Sequence, residues 1–248
     1  MAKAKIGFKD FVFLFEPETI THVLQKNNKN YVKSFAYKGL KAFLGNGLLT
    51  AEQNIWLKNK RALQPGFIQK EIVLLNDNIS DAIDYKINQL DLDKTHNLQE
   101  LFLDWTKDIL LKSLFGLNNS EIKELGNIHT HLWFLRNYAN SRMKNPFMAP
   151  QSWPTKTNKR IKIAIKELEI IILKLFKLSA NRTEKEKLVQ HILAQQEKGA
   201  WSDQQVFDEI ITLFLAGQET TTNAMVFLVH CLNEYPDYLT RVKIKMMN

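Results

Sequence analysis

Ala216-Gly217-Gln218-Glu219-Thr220-Thr221-Thr222-Asn223, set in the middle of the stretch from Ser202 to Glu234, decides how this chain is read. The flanks read as one long helix. Ser202 is a natural N-cap, Gln205 completes the S-x-x-Q pattern that ties off two free N–H groups, and Trp201 and Val206 are spaced as a hydrophobic staple. From Ile210 to Ala216, and again from Ala224 to Leu232, apolar residues fill nearly every position, the pattern of a helix buried on all sides. Between these halves come seven consecutive residues that are glycine, polar or charged. A mid-helix glycine costs about 1 kcal/mol relative to alanine, β-branched threonines lower helix propensity further, and a buried carboxylate needs a partner or a raised pKa. Thr220 and Thr221 follow Ala216 and Gly217 by four residues, so each hydroxyl can back-bond to that carbonyl and bend the helix. Glu219 is then a proton-carrying group beside a hydroxyl, next to a glycine that leaves space. The pattern is a Gly/Thr kink filled by water, a helix less buried than its apolar halves suggest, or a site.

Composition narrows the class. The chain has 248 residues, 45% of them hydrophobic and 24% charged, as expected of a globular protein of one large domain or two small ones. Its formal net charge of +8 would suit an acidic partner, but the basic residues are spread along the chain with no block that would mark nucleic-acid binding. No stretch reaches the ~18 uninterrupted apolar residues of a membrane span, and Met1 is followed by no signal-peptide pattern. With Cys231 as the single cysteine no intrachain disulfide can form, which makes a reducing cytoplasm the natural compartment. His129 and His131, two apart, do not share a helix face and read as ordinary helix residues.

Taken in order, Phe11 to Phe15 reads as a buried strand, and Pro17 suits the first turn of a helix carrying Ile20, Val23 and Leu24. Gly45-Asn46-Gly47 lacks the third glycine and the Lys-Ser/Thr pair of a phosphate loop. Leu48 to Phe67 holds Trp56, Lys58, Lys60 and Arg61 and is stopped by Pro65-Gly66. Trp56 and Lys60, four apart, share a face, so a ring and an ammonium can meet one ligand together, unless the tryptophan merely anchors a surface helix. Ile72, Leu75, Ile79, Ile83 and Ile87 mark an amphipathic helix; Asn97 with Glu100 opens the next, which Gly116 closes; Asn118 with Glu121 starts another, running to about Met143. Lys144 to Pro154, with three prolines, is a loop. Ile161, Ile165, Leu168, Ile172 and Leu175 follow a 4-3-4-3 spacing, the stripe of a helix packed on another helix, and Leu188 to Gln196 makes a short further one.

Ala216-Gly217-Gln218-Glu219-Thr220-Thr221 resembles the [AG]-G-x-[DE]-T-[TS] signature of the long central helix of cytochrome P450 haem-thiolate monooxygenases. Trp56-Leu57-Lys58-Asn59-Lys60-Arg61, continuing to Phe67, resembles the C helix of the same family, with Lys60 standing where an arginine is usual. The two signatures occur in the family's order. The resemblance implies a mainly α, partial P450 fold of B to I/J helices with a short N-terminal β-strand region, in a single incomplete domain over 1–248. Its parts would be a strand region at 1–16, the B and C helices at 17–67, the D to F helices at 68–143 and the F–G loop at 144–154. The G and H helices at 155–201, the central I helix at 202–234 and the start of the J helix at 235–248 would follow.

The resemblance also implies roles. Thr220 would hydrogen-bond dioxygen and relay a proton, Glu219 would connect that relay to solvent, and Ala216 and Gly217 would leave room above the iron of a haem b. Trp56 and Lys60 would hold a haem propionate, with Arg61 able to compensate for the fork that Lys60 lacks. The family's partners are a small apolar substrate and a ferredoxin- or flavin-type electron donor; to these the composition of the chain adds neither nucleic acid nor a membrane span. Its chemistry is insertion of one oxygen atom into a C–H bond. The family's E-x-x-R and F-x-x-G-x-x-x-C motifs, the second carrying the axial thiolate, occur nowhere in the 248 residues. Cys231, on the same helix as Thr220, is expected to be a buried small hydrophobe. The chain therefore reads as a truncated P450, inactive alone, whose central helix has an uncovered apolar side. The alternative is a non-catalytic helical binding scaffold derived from a P450.

Overall fold

The computed structural model of the protein describes residues 1–6, 9–34, 37–126, 128–145, 148–179 and 187–247. Pro146 of the proline-rich loop and the terminal Asn248 lie outside them. The chain opens on an antiparallel hairpin of β1 (Ala2–Ile6) and β2 (Lys9–Phe13). This corrects the expected buried strand at Phe11 to Phe15: the strand ends at Phe13, and Val12, Phe13 and Phe15 are exposed because, among the described residues, the hairpin packs chiefly on itself. Pro17 does sit at the start of α1 (Pro17–Thr21), whose end widens into a π turn, Asn27 N–H bonding the carbonyl of His22 at 2.8 Å.

The remaining described elements are helical: α2 (Tyr37–Leu44), α3 (Gln53–Leu63), α4 (Gln69–Val73), α5 (Asn76–Asn88), α6 (Leu98–Phe115), α7 (Asn119–Glu124), α8 (Ile128–Lys144), α9 (Lys156–Ser179), α10 (Lys187–Glu197), α11 (Asp203–Glu234) and α12 (Pro236–Met247). Several boundaries follow the sequence signals. Asn97 caps α6 by accepting from the N–H groups of Gln99 and Glu100, and Gly116 ends it at φ +65°. Asn118 and Glu121 form a complete capping box on α7. Other boundaries differ. The helix expected from Asn118 to Met143 is two, because Gly126 at φ +82° breaks it. The C-helix stretch turns through Leu48–Thr50 before α3 begins, Leu75 divides the expected D helix into α4 and α5, and Ile72 and Ile87 of its apolar stripe are exposed.

The core lies where α11 crosses α6 and where α8 packs on α9. The stripe Ile161, Leu168, Ile172 and Leu175 is buried there as its spacing requires, with Ile165 partly buried beside it. Phe115 of α6 and Phe214 of α11 stack with centroids 5.6 Å apart. The first half of α11, Val206 to Ile211, is buried throughout, whereas Met225, Phe227 and Leu228 in its second half are exposed, Phe227 by 67%. All-round burial of Ala224 to Leu232 is thus not observed, and Cys231, expected inside, is exposed. The uncovered apolar side expected of the central helix is present. Among the described residues no helix is long and apolar enough to cross a membrane.

Candidate active site

The polar centre of α11 is continuous helix. Thr220 Oγ1 donates to the carbonyl of Ala216 at 2.5 Å, the back-bond its spacing predicts. Back-bonding satisfies the hydroxyl without breaking the helix. Ala216 and Thr220, one turn apart, are both exposed and share one face. Gly217 looks elsewhere, since a Cβ there would lie 2.9 Å from Leu110 Cδ2 of α6, so its missing side chain lets the two helices approach.

Glu219 turns about 100° from Thr220 around the helix and meets α8, where Arg136 Nη1 donates to Glu219 Oε1. The pair is partly buried, its side chains 25% and 35% exposed. Arg136 Nε is buried with no protein partner among the described residues. Glu219 and Arg136 line a half-open cleft of about 400 Å³ between α6, α8 and α11, to which His129, Trp133 and Gln218 also contribute. Gln218 is buried and donates to the carbonyl of Leu103 at 3.1 Å. Burial pushes the His129 imidazole below its ordinary pKa, opposed by a hydrogen bond with Gln218. Thr222, fully buried, shares a hydrogen bond with Thr106 of α6 at 2.9 Å. The segment therefore divides by face: Thr220 outward, Glu219 into the cleft, Gly217 and Thr222 toward α6.

On α3, Lys60 Nζ lies 4.9 Å from the centroid of the Trp56 ring, and Lys60 makes no ion pair among the described residues. Arg61 diverges from it into a shallow depression with Lys58 and Gln195. The cleft at Glu219 includes none of Trp56, Lys60 and Arg61. His129 and His131 belong to no cluster of potential metal ligands among the described residues.

The sequence reading missed Arg136 and a buried unit at the start of α11. Asp208 accepts the N–H of Asn46 at 2.7 Å, and Glu209 that of Leu48 at 2.9 Å. Gln205, expected to complete the cap on Ser202, instead donates to Glu209 Oε1 and to the carbonyl of Asn46; Ser202 makes its half by accepting from Gln205 N–H. Asn59 of α3 donates to the same Asn46 carbonyl at 2.8 Å, so the turn fixes α3 against α11. Burial raises both carboxyls, Glu209 to about 7. Two glycines two apart, with adjacent acids in an apolar run, were the available signal.

A cytochrome P450 family model matches residues 1–246. Protein LUTEIN DEFICIENT 5, chloroplastic, of Arabidopsis thaliana is 24% identical over 96% of this chain and 43% of its own length. Putative cytochrome P450 132 of Mycobacterium tuberculosis is 26% identical over 87% of the chain and 50% of its own. Cytochrome P450 CYP72A219 of Panax ginseng is 26% identical over 98% and 50%. The chain spans about half the length of the curated relatives it matches.

Proposed function

The chain belongs to the cytochrome P450 family, and on that premise we propose that it forms the distal face of a haem-dependent monooxygenase acting on a small apolar molecule with electrons from a ferredoxin- or flavin-type donor. One observation carries the reading: Thr220 lies on the exposed face of α11, while the adjacent Glu219, about 100° around the helix, lines a half-open cleft. Adjacent residues thus link that cleft to the face a ligand would cover.

The residues present fit the distal side of a haem. Ala216 and Thr220 leave the helix face open, and Lys60, held against Trp56 with no carboxylate partner among the described residues, has its charge available for a propionate, while Arg61, next in sequence, lines the depression with Lys58. Cys231 would not supply the thiolate that holds the haem, since it lies eleven residues beyond Thr220 on the same helix, roughly 16 Å along it. When bound, the haem supplies the oxidation itself. The chain's own part is proton handling. Thr220 can accept a proton at Oγ1 while donating the one it now shares with the Ala216 carbonyl, and exchanging that bond for one to a ligand costs only about 1 kcal/mol. Glu219 would refill it by passing on a proton taken up from water in the cleft, and Arg136 holds that side chain at the cleft wall. Gly217 would act indirectly, by setting how closely α11 lies to α6.

The test is a restored enzyme, in which a proximal half bearing the cysteine loop is supplied to this chain. Thr220→Ala is expected to keep oxygen consumption while product formation falls. Unchanged coupling would mean that the relay role does not belong to Thr220.

A second reading, a non-catalytic helical scaffold, is favoured by the exposed apolar residues Met225, Phe227 and Leu228. It requires the 248-residue chain to be soluble and to melt cooperatively without haem. Aggregation on expression would rule it out.

A further inference from the structure

The helix α9 carries seven basic and two acidic residues, five of the chain's eight net positive charges. Spread along the sequence between apolar positions, they form no block, but the helix collects them. Opposite its buried stripe runs a second one on the same 4-3-4-3 spacing: Lys159, Ile163, Lys166, Ile170, Leu173 and Lys177. Ile163, Ile170 and Leu173 are 60%, 60% and 61% exposed, and Trp153, just before the helix, is 59% exposed. Lys159, Lys166 and Lys177 are exposed and make no ion pair among the described residues. From Lys159 to Lys177 the stripe covers nineteen residues, roughly 27 Å of helix.

Large aliphatic side chains in a row at this exposure call for a cover, and the lysines among them decide its chemistry. A second copy of this face would bring like charges together, and an apolar protein surface would strip water from unpaired ammonium groups. An anionic layer satisfies both components. The shape of the stripe selects a lipid surface, since it is the ridge of one helix rather than a groove, and a ridge can sink into a headgroup layer while lysine stems reach up to phosphates.

We propose that the outer face of α9 docks on an anionic lipid surface, with Ile163, Ile170, Leu173 and Trp153 in the interface and Lys159, Lys166 and Lys177 on lipid phosphates. Each such lysine strengthens binding about fivefold at low salt. This needs neither haem nor the monooxygenase reading, and stands or falls separately.

The 248-residue chain is to be sedimented with phosphatidylcholine vesicles with and without phosphatidylglycerol. Binding is expected only with phosphatidylglycerol and should weaken as salt is raised. Two triple variants, Lys159→Glu/Lys166→Glu/Lys177→Glu and Ile163→Ser/Ile170→Ser/Leu173→Ser, should each lose more than tenfold. The control Lys26→Glu/Lys70→Glu/Lys123→Glu, equal in charge change and exposed elsewhere, should stay within about twofold. Any of three results overturns the proposal. A control that falls as far as the α9 lysine variant would mean general attraction of a basic chain. The serine variant can bind like the wild type, meaning that nothing inserts. Finally, duplex DNA can be bound through the α9 lysines while vesicles are ignored.

Discussion

The buried Glu209 carboxyl of α11 accepts the backbone N–H of Leu48 at 2.9 Å, tying the turn ahead of α3 to the central helix. Burial, with Asp208 next to it, raises that carboxyl from 4.5 to about 7. A carboxyl that ionises less readily folded than unfolded keeps extra protons in the native state. Its contribution to stability is therefore fully present below pH 4.5 and lost as pH rises toward 7. The shift corresponds to about 3 kcal/mol. Glu209→Gln keeps an acceptor for Leu48 and removes the ionisation, so denaturant titrations at pH 5 and pH 8 should show a smaller loss for the variant than for the wild type. Parallel losses would mean that Glu209 titrates as an ordinary carboxylate.

Gly45 and Gly199 both lie at positive φ, +48° and +66°. A Cβ at Gly45 would sit 2.0 Å from Asp208 Oδ2, whereas one at Gly199 meets nothing within 4 Å. Gly199→Ala should cost only the left-handed strain, about 1 kcal/mol. Gly45→Ala adds displacement of the buried carboxylate and should cost roughly 3 kcal/mol. Equal denaturant midpoints for the two variants would show that the turn can move off Asp208.

Arg136→Met and Glu219→Gln, combined in a double-mutant cycle, should give a coupling of about 1 kcal/mol that shrinks with added salt. The pair's partial exposure limits it to that size. Zero coupling would mean that the contact does not hold Glu219 at the cleft wall.

Thr222→Val removes a buried hydroxyl bonded to Thr106 and should lower stability by about 1 kcal/mol, while Thr220→Val, exposed, should leave it nearly unchanged. The reverse order in a melting experiment would exchange their structural and functional assignments.

These contrasts show what local pattern carried. The Ser202 cap, the stripe from Ile161 to Leu175, the Gly116 stop and the Thr220 back-bond all depend on spacings of three to five residues along one chain segment, and spacing is visible in a sequence. Arg136 meets Glu219 across 83 positions, and Asn46 meets Asp208 across 162. Nothing periodic announces such pairs. Gly217 shows the limit within one motif: its lack of a side chain was read as space for a ligand, and it also admits Leu110. The second half of α11 misled in the opposite way, because an apolar run reports what could be covered, not what covers it.

The division of α11 into a buried first half and an exposed second half sets two clocks in one helix. Amide protons from Val206 to Phe214 can reach solvent only when the core opens, so their exchange with deuterium should report global unfolding, while those from Ala224 to Glu234 need only the helix end to fray. Thr220 sits where one regime passes into the other, on a backbone firm enough to hold a hydroxyl in place and close enough to the loose end to let it turn.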